Sequence, residues 1–120
     1  MAHGGFLRQH SDDPELVSHI MHDYTKTNLD PQTRSMLDFA TKLTLTPAAM
    51  EKSDVEGLQR QGLTDDQILS IVLITCTFNF MTRLADGLGV EDDHGRQEAA
   101  ERWLIGPVLE QSWLMNPREH

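Results

Sequence analysis

The sequence holds one thiol, Cys76, and no other cysteine. A thiol reacts as its thiolate, which at neutral pH needs a cation or a helix N-terminus beside it. At helical spacing Cys76 instead meets Ile71, Val72, Leu73, Thr75 and Phe80. Such an apolar setting raises a thiol pKa, so the residue pattern predicts core packing rather than reactivity. A single cysteine also excludes an intrachain disulfide, and with it a disulfide-stapled secreted scaffold. His19 and His22 stand three apart with Asp23 adjacent, two corners of a conceivable metal site. Ligation needs a third or fourth ligand, and no spacing proposes one, so a solvated pair and no metal are expected. Asn79, Arg83 and Asp86 fall at i, i+4 and i+7, a polar stripe suited to lining a pocket or to a satisfied cluster. The cluster is the expectation, with Arg83 paired to Asp86 or to a helix end. Gly87-x-Gly89 follows a helix rather than a strand, so it is no phosphate loop.

The elements that must position these residues all read as helices. Asp12 or Asp13 with Pro14 opens the first, carried to about Tyr24 by Leu16, Val17, Ile20 and Met21. Asp30-Pro31 opens the second, whose apolar face is Met36, Phe39, Ala40 and Leu43, and Thr46-Pro47 ends it. Ser53-Asp54-Val55-Glu56 reads as a capping box for a short third helix closed by Gly62. A second box, Thr64-Asp65-Asp66-Gln67, opens the longest helix, running to about Ala85 with Gly87 as its end. That helix is apolar on most sides, which predicts a central buried element with Phe80 in the core. After Gly89 comes a polar linker, then two helical patterns over Gln97–Leu104 and Pro107–Leu114 that carry Trp103 and Trp113 for packing or subunit contact. The expected fold is all-α, a helical bundle or array of about five or six helices forming one domain over residues 1–120.

The whole-chain numbers bound the function classes. Its 120 residues amount to one domain with a modest core. Acidic side chains outnumber basic ones 19 to 10, and the formal charge of −9 repels phosphate backbones, so nucleic-acid binding is not expected. The N-terminus lacks the apolar core of a signal peptide. The most apolar window, Ile68 to Met81, is broken by Ser70, Thr75, Thr77 and Asn79 and falls short of the ~20 apolar residues of a bilayer span. No membrane association and a cytoplasmic location are therefore expected.

Several segments resemble a known family. Leu29-Asp30-Pro31, Leu37-Asp38-Phe39-Ala40 with Lys42-Leu43-Thr44, Thr46-Pro47-Ala48-Ala49-Met50, and Gly62 through Leu69 are similar to the alkylhydroperoxidase D-like (carboxymuconolactone decarboxylase-like) group labelled "peroxidase-related". The most specific piece is Phe78-Asn79-Phe80-Met81-Thr82-Arg83-Leu84-Ala85-Asp86-Gly87-Leu88-Gly89-Val90. The resemblance covers about residues 1–90; the tail from Glu91 matches nothing in it. It implies an oligomer and a hydroperoxide reductase, in which a Cys-x-x-Cys pair reduces the substrate while a nearby His and an upstream Glu relay protons. His3-Gly4-Gly5-Phe6-Leu7-Arg8 resembles the piece just after that pair, which makes His3 the one candidate for a catalytic role, as proton relay. The expectation is a chain beginning just past the cysteine pair and inactive alone, acting on a small hydroperoxide only if an upstream Cys-x-x-Cys exists. The alternative is a non-enzymatic, oligomerising helical module that has lost the redox site. A homo-oligomer is expected in either case. No cofactor is expected, because no histidine spacing supports heme or metal.

Overall fold

The computed structural model describes residues 7, 9–13 and 15–90, apart from the side chain of His22. Among them every regular element is helical. The expected helices over Gln97–Leu104 and Pro107–Leu114, with Trp103 and Trp113, lie outside the described residues. The chain divides into two compact units, residues 1–28 with 91–120, and residues 29–90.

In the first unit, α1 spans Leu16–Asp23 and is followed by a 3-10 turn over Tyr24–Lys26. Asp13 starts α1, as the sequence predicts: its carboxylate accepts from the backbone N–H of Glu15 at 2.9 Å and of Leu16 at 3.2 Å. Asp23 caps the 3-10 turn by accepting the Thr25 amide at 3.0 Å and the Thr25 hydroxyl. That hydroxyl, ahead of the amide and Lys26, holds the Asp23 carboxyl below its ordinary pKa.

The second unit carries α2 (Pro31–Leu45), a 3-10 turn (Pro47–Ala49), α3 (Lys52–Arg60) and α4 (Asp65–Leu88). Asp30 caps α2 by accepting the Thr33 amide at 2.9 Å and the Thr33 hydroxyl at 2.6 Å. The helix stops at Thr46, before Pro47. α3 begins earlier than the Ser53–Glu56 box predicts. Glu51 is its N-cap, and the side chain that turns back is Asp54, accepting the Glu51 amide at 2.7 Å. The reason is tertiary: Asp54 also takes the ammonium of Lys42, on α2, at 2.8 and 2.9 Å, and so is already anchored at this end of α3.

Gly62 closes α3 as expected, at φ +86°. The Leu63 N–H reaches the Leu58 carbonyl at 3.3 Å and the Gly62 N–H the Gln59 carbonyl at 2.9 Å, while Leu58 and Leu63 both enter the core. The Thr64–Gln67 box is present in both directions, at 3.2 and 2.8 Å. α4 then runs past Gly87. Its terminator is Gly89, at φ +65°, with the Val90 N–H on the Ala85 carbonyl at 2.9 Å. Gly87 stays helical because the left-handed step that ends the helix comes two residues later.

The core of this unit is Phe39, Leu58, Leu63 and Ile68, ringed by Met36, Leu43, Met50, Val55, Ile71 and Val72. Here the central burial expected for α4 fails. Only Ile68 of α4 is buried; Leu69, Leu73, Ile74, Met81 and Leu84 are more than half exposed and Phe80 is 67% exposed. Helical periodicity accounts for this. One stripe of α4, through Ile68, Ile71, Val72, Thr75 and Asn79, turns toward α2 and α3, while the opposite stripe faces out. At 24 residues α4 is also long and apolar enough to cross a membrane by length and composition, where the narrower window Ile68–Met81 reads as too short.

Candidate functional site

Cys76 sits on the outward stripe of α4 and is exposed, not packed in a core as the sequence predicts. The prediction failed because apolar neighbours along a helix do not tell which of its faces meets the protein. Within four positions on either side of Cys76 there is no Lys, Arg, His, Asp or Glu, so α4 brings no local charge to the thiol.

The polar stripe at the end of α4 does converge, on the last turn of α2. The Asn79 Nδ2 donates to the Thr44 hydroxyl at 3.0 Å, and that hydroxyl donates in turn to the Ala40 carbonyl at 2.7 Å. Arg83 donates through Nη2 to the Thr44 carbonyl at 3.1 Å and through Nη1 to the Asn79 carbonyl at 3.3 Å. A cation on the terminal carbonyls of a helix is favourable to its dipole. Arg83 thus takes the helix-end alternative. Asp86 is exposed and outside these bonds. The cluster ties two helices together; it does not aim donors into a cavity.

One feature escaped the sequence reading. An open cleft of about 340 Å³ lies between α2 and α3, with Ser35, Asp38, Lys42, Asp54, Arg60 and Gln61 among its walls. Both of its acids are paired: Asp54 with Lys42 across the cleft, and Asp38 with the Nε of Arg34, outside its walls, at 3.2 Å. Lys42 first, then the Glu51 amide, holds the Asp54 carboxyl below its ordinary pKa. No His or Cys lines the cleft, so it carries no thiol or imidazole. Asp54 was legible as a first-turn acid; its partner Lys42, on another helix, was not.

Of the remaining candidates only His19 is described. His19 is exposed, with its Nε2 3.8 Å from a Glu15 carboxylate oxygen. Among the described residues no three of His, Cys, Asp and Glu gather to hold a metal. His3 and the His22 side chain lie outside the described residues.

No family model and no curated protein matches the chain. Solved structures do, two of them as follows. One is an uncharacterized peroxidase-related protein of Ralstonia eutropha JMP134, described as an alkylhydroperoxidase AhpD core, at TM-score 0.68 and 31% identity. The other is an uncharacterized peroxidase-related protein of Silicibacter sp. TM1040, at TM-score 0.71 and 36% identity. The chain is AhpD-like. The matches cover 78% of it, and 50% and 49% of the two relatives. The chain therefore spans about half the length of the AhpD-like structures it matches.

Proposed function

We propose that this AhpD-like chain supplies the helical frame of a peroxidase-related oxidoreductase acting on hydroperoxides, and that it turns over no peroxide by itself. The observation that carries this reading is the AhpD-like match at 31% and 36% identity, joined to a sequence with one cysteine. Thiol-based reduction consumes two thiols. A thiolate attacks the O–O bond, releasing an alcohol and becoming a sulfenic acid; a second thiol displaces water from it and leaves a disulfide. Cys76 has no second thiol in its own chain and no basic residue within a helical turn. His3 would serve as proton relay only beside a cysteine pair.

The exposed apolar stripe of α4 favours a second reading, a self-associating helical module without redox chemistry. Both readings make the protein a soluble, cytoplasmic homo-oligomer that binds neither nucleic acid nor membrane. The inner stripe of α4 supports solubility, since Asn79 and Arg83 commit it to the end of α2. A peroxide-consumption assay with a dithiol reductant tests the proposal. No turnover is expected, and turnover that disappears in Cys76→Ser would overturn it.

A further inference from the structure

We propose that the cleft between α2 and α3 binds a small organic monocarboxylate, held by the guanidinium of Arg60. The two helices run antiparallel and are bridged on either side of the cleft's middle. Lys42 reaches Asp54 at 2.8 and 2.9 Å on one side, and on the other the Gln32 Nε2 donates to the Gln61 carbonyl at 2.9 Å. Between these bridges Phe39 and Leu58 supply a buried apolar floor, and Ser35 and Arg60 stand in the walls. At about 340 Å³ the space lies at the small end of the ~300–1,000 Å³ typical of ligand pockets, which suits a ligand built on a single ring.

Arg60 is the group without an occupation. Elsewhere in residues 29–90, Arg34 is paired to Asp38, Lys42 to Asp54 and Lys52 to Glu56, and Arg83 is spent on helix carbonyls. Arg60 makes no hydrogen bond or ion pair among the described residues. Glu56, one turn before it on α3, is the acid it would otherwise take, and Glu56 holds Lys52 at 3.2 Å. The guanidinium lies over Gly57 instead: a Cβ added there would meet the Arg60 Nη2 at 3.7 Å and nothing else within 4 Å. Packing therefore does not demand a glycine in the middle of α3, where it weakens the helix relative to alanine. What the glycine does is keep the wall low beside the guanidinium. The Ser35 hydroxyl, on the α2 wall, is a second donor without a partner among the described residues.

Charge sets the class of ligand. Arg34, Lys42 and Arg60 stand against Asp38 and Asp54, which leaves one positive charge in excess on a chain of net charge −9. One uncompensated cation suits a monoanion, whereas a phosphate dianion would meet two carboxylates and no second free cation. A carboxylate also matches the parallel N–H groups of a guanidinium, and Phe39 and Leu58 favour an apolar body behind it.

Benzoate is the probe, followed by NMR on the full chain. The Arg60 Nε and the Gly57 and Ser35 amide resonances should shift and saturate. Benzamide, of the same shape but neutral, should leave them in place. Arg60→Gln, at an exposed position, should weaken benzoate binding about tenfold or more, the loss of a charge-assisted pair. Gly57→Met, which puts a side chain into the cleft, should abolish the Arg60 and Ser35 shifts while the thermal midpoint holds or rises. Equal responses to benzoate and benzamide would overturn the proposal, as would undiminished binding in either variant. Inorganic phosphate moving the same resonances at lower concentration would overturn the ligand class.

Discussion

Asp54 joins two elements through one carboxylate, taking the Lys42 ammonium from α2 and the Glu51 amide at the start of α3. Both contacts favour the ionised form, Lys42 most, so its folded-state pKa lies below the ordinary aspartate value of 3.8. A lowered folded pKa gives stability that is complete above the unfolded value and disappears as pH falls through the folded one. Asp54→Asn should therefore lower the thermal midpoint at pH 7, and the gap to the native chain should close as pH falls below the ordinary aspartate value and through the lowered folded one. A gap unchanged in acid would contradict the pairing. Burial ranks the uncharged residues. Leu58, at 2% exposure, should cost about 2–5 kcal/mol on truncation to Ala, while the exposed Cys76→Ala should stay within about 0.5 kcal/mol. Denaturant midpoints of the two variants would show equal losses if Cys76 were a core residue after all.

The helix boundaries are set by short-range chemistry, and for that reason most of them could be read from the sequence. Asp13, Asp30, Thr64 and Gly62 each act through residues two to five positions away. Thr64→Ala should remove one half of its box and cost about 1 kcal/mol. Gly62→Ala should cost about 1–2 kcal/mol through the left-handed backbone alone, since an added Cβ would come no closer than 3.8 Å to Gln32. Thermal unfolding measures both, and a neutral Gly62→Ala would refute the closing role of that turn. The start of α3 was misread because Lys42, twelve positions before Asp54, helps decide which acid turns back. The outward face of α4 was misread for a related reason: a helix apolar all round gives no direction to its hydrophobic pattern. The Thr44–Asn79–Arg83 cluster was legible as spacing on α4, but its partner on α2 was not.

At the scale of the molecule, residues 29–90 build a core of their own and leave an apolar stripe of α4 exposed. Soluble chains seldom leave contiguous apolar patches beyond a few hundred Å² open to water. That stripe and the single thiol are the two features on which the reading of function depends. On the reading proposed above, a second chain covers the stripe, and the single thiol leaves the peroxide cycle without its resolving partner. Multi-angle light scattering of the native chain at low micromolar concentration tests the first of these directly. The account predicts the mass of a dimer or larger assembly, and a well-folded monomer at 13.6 kDa would contradict it.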